Sequence, residues 1–352
     1  MTLTREQGES FAAVGFLCSL MIVVIHSSNM THLWMSGTSI VPAWVATLHF
    51  VVRDTLPRCA LPWFFAASGF FLVKHLNAED GVWPWWRRTV VRRIHTLLVP
   101  YLLWNLFYYL FRLALGRYAF EPVHALRLVT GWDFSNDLAC FPFWYIRTLL
   151  VYVVFAPVFV ILLRLRGMGI AVLAALAGAW FADAPTFGLS FQPLNWESLL
   201  FFGGGVFAAL QGAPGWFVPR GVRRGTLAVY VLACVGVVTL LLLREQRFLP
   251  ACVRVMLLLG CMTLAANLSR VRRLLLPVRP LWGFAFFVYA QHTLLTGIVR
   301  DVTRQVFSPV WQETVGFGLR IGVGIVGSLA MGAVLRRFAP RLFCLLCGGR
   351  VP

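Results

Sequence analysis

The chain has 352 residues, 59% of them hydrophobic and only 12% charged, with a mean hydropathy of +0.78. Lys and Arg number 31 against 13 Asp and Glu, a net charge of +18 carried almost wholly by Arg, since Lys74 is the only Lys. This composition excludes a soluble domain, and the scatter of Arg among short turns argues against a nucleic-acid-binding stripe.

Apolar runs of about 20 residues recur from end to end, as expected of helices crossing a hydrocarbon core of about 30 Å. In chain order, spans are predicted near 11–30, 58–76, 95–113, 142–163, 168–182, 197–211, 226–243, 250–268, 281–299 and 315–335. The expected fold class is all-α, a polytopic transmembrane helix bundle of about ten spans. It reads as a single integral-membrane domain over 1–352, without internal repeats. The first run lacks a small-residue cleavage site after it and reads as a span of the mature protein. With the N-terminus in the cytoplasm, ten spans return the C-terminus to the same side. Arg5, Lys74, Arg87, Arg88, Arg92, Arg93, Arg164, Arg166, Arg220, Arg223, Arg224, Arg270, Arg272, Arg273, Arg279, Arg336, Arg337, Arg341 and Arg350 then fall inside, and Arg53, Arg58, Arg112, Arg117, Arg127, Arg244, Arg247, Arg300 and Arg304 outside. Over all loops the basic residues favour the inside about two to one, the bias of the positive-inside rule. The expected location is an inner or plasma membrane, with the lipid bilayer as the first partner.

Candidate site residues follow in the same order. His26 ends the phrase Val23-Val24-Ile25-His26, where a bilayer tolerates an ionisable group poorly and an imidazole is suited to take a proton from a hydroxyl. Ser68 and Gly69 in Phe64-Phe65-Ala66-Ala67-Ser68-Gly69-Phe70 are small enough to bring helices together. Arg87, Arg88, Arg92 and Arg93 precede the third run, either as a topogenic loop or as a clamp for phosphate oxygens, which guanidinium forks match. Arg147, in Phe143-Trp144-Tyr145-Ile146-Arg147, needs a partner or a cavity, and Glu197 is a candidate partner. Gly203-Gly204-Gly205 lies inside an apolar run, where it can mark a broken helix. Tyr289-Ala290-Gln291-His292 places a second His within the ninth run, readable as an interhelical donor. Cys344 and Cys347 form an isolated C-x-x-C without a His partner, so no metal site is expected.

Together and in this order, these phrases resemble the acyltransferase type 3 family of bacterial membrane O-acyltransferases. The resemblance rests on Val23–His26, Phe64–Phe70, Arg92 to Trp104, Phe143–Arg147, Phe201–Gly205 and Tyr289–His292, and so covers nearly the whole chain. It implies an acyltransferase that moves an acyl group, usually acetyl, from acyl-coenzyme A to a hydroxyl of a cell-surface polysaccharide or lipid-linked sugar. Acyl-coenzyme A is then a co-substrate, and no cofactor is held tightly. By match of position, His26 is the catalytic His, and Arg92 and Arg93 serve the donor. Arg147 or Tyr289 is expected to stabilise the oxyanion. Many members carry an Arg eleven residues before the catalytic His; here that position is Gly15, so either another Arg substitutes, with Arg147 or Arg93 expected, or the chain belongs to a divergent branch. The rival reading is a transporter or flippase for a glycan or its lipid-linked precursor, which shares the bundle and the intramembrane His and Arg.

Overall fold

The computed structural model describes residues 3–28, 41–74, 76, 81–134, 137–184, 195–211, 225–243 and 247–350. The expectations for Met30, Arg220, Arg223, Arg224 and Arg244 lie outside the described residues. Among the described residues every regular element is helical. The principal helices are α1 (Arg5–Ser27), α2 (Ala43–His49), α3 (Ala60–Val73), α4 (Val82–Arg93), α5 (Val99–Ala114), α6 (Pro122–Thr130), α7 (Trp144–Val154), α8 (Ala156–Arg164) and α9 (Arg166–Phe181). They continue with α10 (Trp196–Leu210), α11 (Thr226–Leu242), α12 (Leu249–Ala266), α13 (Leu268–Leu275), α14 (Ala285–Val306), α15 (Pro309–Gln312), α16 (Val315–Phe338) and α17 (Pro340–Leu346).

Among the described residues six helical stretches are long and apolar enough to cross a membrane: Arg5–Ser27, Ala43–Val73, Val82–Ala114, Leu249–Ala266, Leu268–Val306 and Pro309–Phe338. A seventh forms if the pair Phe141–Val154 and Ala156–Arg164, bent by 65°, counts as one span. The protein is thus an all-α polytopic membrane helix bundle. The runs at α9, α10 and α11 give apolar helices of only 16, 15 and 17 residues, shorter than the roughly 20 residues a perpendicular span needs.

The chain divides into two compact units, one built mainly from Phe65–Pro214 and Leu335–Val351, the other from Leu3–Phe64 and Gly215–Val334. In the second unit α1 starts with a capping box, in which the Thr4 hydroxyl accepts from Gln7 N and the Gln7 side chain accepts from Thr4 N. Glu6 and Glu9 then pair with Arg272, and Glu9 also with Arg279, tying the start of α1 to the basic stretch around α13. At the far end of α1, Gly324 of α16 leaves only enough room for Val23 and Thr296, so a side chain there would collide with both.

In the first unit α3 and α10 cross at two reciprocal glycines. A Cβ on Gly69 would run into the Phe202 carbonyl, and one on Gly205 into the Ala66 carbonyl. The Gly203–Gly205 stretch therefore does not break a helix; α10 runs through it, and Gly205 serves close packing. The break falls instead between α7 and α8. Pro157 has no N–H for the Val153 carbonyl, and the Trp86 indole donates to Val153 O at 3.0 Å and Val154 O at 3.1 Å. Between α4 and α5 the segment Ile94–Leu98 is wound as a π-helix. The chain's end docks beside it: Trp104 Nε1 donates to Leu346 O at 3.1 Å, and Gly348, at φ +63°, lies against Thr96 O. Only glycine fits that position, by both backbone angle and contact.

Candidate active site

The phrases that carry the family resemblance sort between the two units. Val23–His26 and Tyr289–His292 meet in the second. The His26 and His292 rings lie edge to face with centroids 5.3 Å apart, and the Tyr289 ring is 6.4 Å from His292. His26 is half-buried, whereas His292 is fully enclosed. Helix α14 places Tyr289 and His292 three residues apart, hence on one face. Nδ1 of His292 lies 2.8 Å from Tyr289 O and 3.1 Å from Val288 O. Carbonyls only accept, so Nδ1 carries the proton and Nε2 the lone pair. Nε2 is buried and has no hydrogen-bond partner among the described residues.

A charged network surrounds the end of α1, immediately after His26. Arg320 Nε donates to Ser27 O at 2.6 Å, and its Nη2 donates to Glu313 Oε2 at 3.1 Å. His49 Nε2 donates to Glu313 O at 2.6 Å, which leaves its Nδ1 to accept from the Ser28 hydroxyl at 2.7 Å. The His49 ring stacks on Phe317 at 4.1 Å. Arg53, paired with Asp54 at 3.1 Å, is buried within electrostatic reach of both His26 and His49. Five groups that sequence reasoning passed over thus converge on one helix end: Arg53, His49, Ser28, Glu313 and Arg320. Arg320 carried the same signal as Arg147, a guanidinium inside an apolar run. His49 and Glu313 carried none, because they come from short helical stretches whose approach is tertiary.

The remaining phrases assemble in the first unit. Ser68 Oγ and Tyr145 Oη are 2.8 Å apart, and Phe65 packs edge-on to the Tyr145 ring at 4.8 Å. Arg93, in the last turn of α4, lies within electrostatic reach of Tyr145, Arg92 and Arg350. Lys74 is in turn within reach of Arg92. Among the described residues no carboxylate pairs with Arg92 or Arg93. Arg350 is brought to this cluster by the docked C-terminal turn, where its Nη1 donates to Cys347 O at 3.2 Å. Arg147 is buried, and its guanidinium donates to Gly131 O at 3.2 Å and Phe134 O at 3.3 Å, fixing the turn after α6. Cys347 is fully buried, and burial pushes its thiol up to about 12, so at neutral pH it is a packed thiol rather than a thiolate.

The model of the acyltransferase type 3 family, an acyltransferase domain, matches residues 15–333. The chain belongs to this family. The match spans residues of both units and takes in the imidazole pair, Arg92 and Arg93, while Arg350 lies beyond it. Membership makes the protein a membrane-embedded acyltransferase-family member, consistent with transferase activity in general. No curated protein and no solved structure matches the chain.

Proposed function

We propose that the protein transfers an acyl group, usually acetyl, from acyl-coenzyme A to a hydroxyl of a cell-surface glycan or lipid-linked sugar. The observation that carries this reading is the half-buried imidazole of His26 at the end of the first span, in a chain of the acyltransferase type 3 family. His26 takes the proton of the acceptor hydroxyl as the oxygen attacks the thioester carbonyl. The C–S bond then breaks, and the proton passes to the departing thiolate, giving free coenzyme A. Tyr289, in the same unit as His26, is the preferred donor to the oxyanion. Arg147, the other expected donor, has two carbonyl partners of its own and serves first to shape its turn. Arg53 supplies the positive charge near His26 for which position 15 has no side chain.

Arg92 and Arg93, with Arg350 added by the structure, form the site for the phosphates of coenzyme A. Arginines within electrostatic reach of one another repel unless an anion joins them, and phosphate oxygens match guanidinium forks. No cofactor is held tightly in this scheme; the donor arrives and leaves as a co-substrate.

Sidedness from the Arg distribution agrees with the geometry of each unit by itself. In the second unit the N-terminal turn pairs with Arg272 and Arg279, two segments both assigned to the cytoplasm. In the first unit the C-terminal turn docks next to Arg93 and Thr96, again two segments assigned to the cytoplasm. His26 lies about 31 Å along α1 from Arg5, at the opposite end of the span. The proposed topology counts as crossings the bent pair and the three shorter apolar helices, which makes ten and puts both termini in the cytoplasm.

The test is transfer of radiolabel from acetyl-coenzyme A in membranes carrying wild type or His26→Ala, with host glycans as acceptors. Label is expected with wild type and absent with His26→Ala at equal protein abundance. An active alanine variant would refute the role of His26. Wild type that neither transfers label nor binds coenzyme A would refute the enzyme and favour a transporter.

A further inference from the structure

The fully enclosed His292 has a tautomer set by its Nδ1 bonds, a lone pair that no donor meets among the described residues, and a second imidazole next to it. Its Nδ1–H is committed to the Tyr289 and Val288 carbonyls, so in the neutral ring Nε2 is an acceptor and cannot become the donor by a change of tautomer without losing both bonds. Nε2 is buried without a partner among the described residues, although an unpaired buried acceptor is destabilising. The neighbouring ring is His26, with a centroid separation of 5.3 Å. A linear N–H···N bond between two imidazoles sets their centroids about 5 Å apart, so a small rotation of the half-buried His26 ring suffices to make one. His26 is open enough to meet a substrate; His292, at 0% exposure, is not.

We propose that His292 is the positioning partner of His26, its Nε2 accepting an N–H from the His26 ring. This proposal rests on the role given to His26 above. The bond fixes the His26 tautomer so that its other nitrogen presents a lone pair to the acceptor hydroxyl. When His26 takes that proton, the resulting imidazolium keeps an acceptor behind it until the proton goes to the leaving thiolate. The arrangement follows the logic of a base oriented by a third group, with a neutral imidazole in the place of the usual carboxylate. A neutral partner suits this position, because Arg53 already supplies positive charge within electrostatic reach of His26 and an added carboxylate would be drawn to it. The packing is built to hold the pair: Gly324 allows α16 to close on Val23 and Thr296, one turn from each imidazole.

The experiment separates the two ring nitrogens. In His292→Asn the amide nitrogen replaces Nδ1 and keeps a donor for the Tyr289 carbonyl, but nothing remains at Nε2. In His292→Gln the amide oxygen can replace Nε2 as an acceptor. The rate of label transfer and the KM for acetyl-coenzyme A are measured for both, with wild type and His26→Ala alongside. We expect kcat to fall about 100-fold in His292→Asn and about tenfold in His292→Gln, with KM unchanged in both. A structural role for His292 predicts the reverse order, since Asn keeps the structural bond. Wild-type kcat in His292→Asn, or an equal fall in the two variants, overturns the proposal. If His292→Asn fails to accumulate in the membrane, a His292→Gln kcat no better than that of His26→Ala overturns it as well. An active His26→Ala would instead overturn the role of His26 itself, so the two failures are distinct.

Discussion

Arg320 is the residue on which the end of α1 depends. Its guanidinium holds the Ser27 carbonyl and the Glu313 carboxylate together, and both arginine and glutamate are buried. Replacing Arg320 by Met leaves Glu313 charged and enclosed. Breaking a buried pair from one side costs about 3–5 kcal/mol. Thermal unfolding of the purified Arg320→Met protein is expected to begin well below wild type, with part of the loss recovered when Glu313→Gln is added. An unchanged melting temperature would mean that water reaches Glu313. Residue types alone pointed to His26, Arg92, Arg93 and Arg147, because an ionisable group in an apolar run is conspicuous. They did not point to what each of these touches. Arg147 donates to the backbone carbonyls of Gly131 and Phe134, partners that a sequence pattern does not display.

At the scale of helices, small residues and breaks decide how the elements meet. Gly69 and Gly205 bring the backbones of α3 and α10 so close that each occupies the space of the other's side chain. Gly205→Ala is therefore expected to force the helices apart and lower the melting temperature by several degrees, whereas Gly204→Ala, whose added Cβ meets nothing within 4 Å, is expected to leave it unchanged. Equal effects of the two would show that helix propensity rather than contact matters. The bend between α7 and α8 follows from Pro157, which was readable, and is tolerated because Trp86 caps the freed carbonyl, which was not. The span count shows the same division. Hydropathy located a helix in each of the ten runs, but it missed the helical stretch from Ala43 that leads into α3, and it could not tell that α9, α10 and α11 stop short of a full crossing length, since turns and caps rather than hydropathy end them.

For the whole molecule, the C-terminal segment carries a testable consequence. Residues after Phe338 lie beyond the family match, yet their turn reaches Thr96 and brings Arg350 to Arg93. Arg350→Ala is expected to raise the dissociation constant for coenzyme A by roughly tenfold, about 1.4 kcal/mol, with no change in the melting temperature. Calorimetric titration of wild type and variant checks this; equal affinities would remove Arg350 from the donor site. The sequence by itself determined the class of the protein, because burying this much apolar surface in lipid is a matter of composition and run length. It also determined the family, because six short phrases in a fixed order survive without any knowledge of their contacts. Only the tertiary structure decided that these phrases divide between two clusters, four with the arginines and two with the imidazoles. Only it decided that His26 has a second imidazole at its side and a charged network at its back. Those groups lie more than two hundred residues from His26 along the chain or on separate short helices, and spacing carries no information about which such elements pack together.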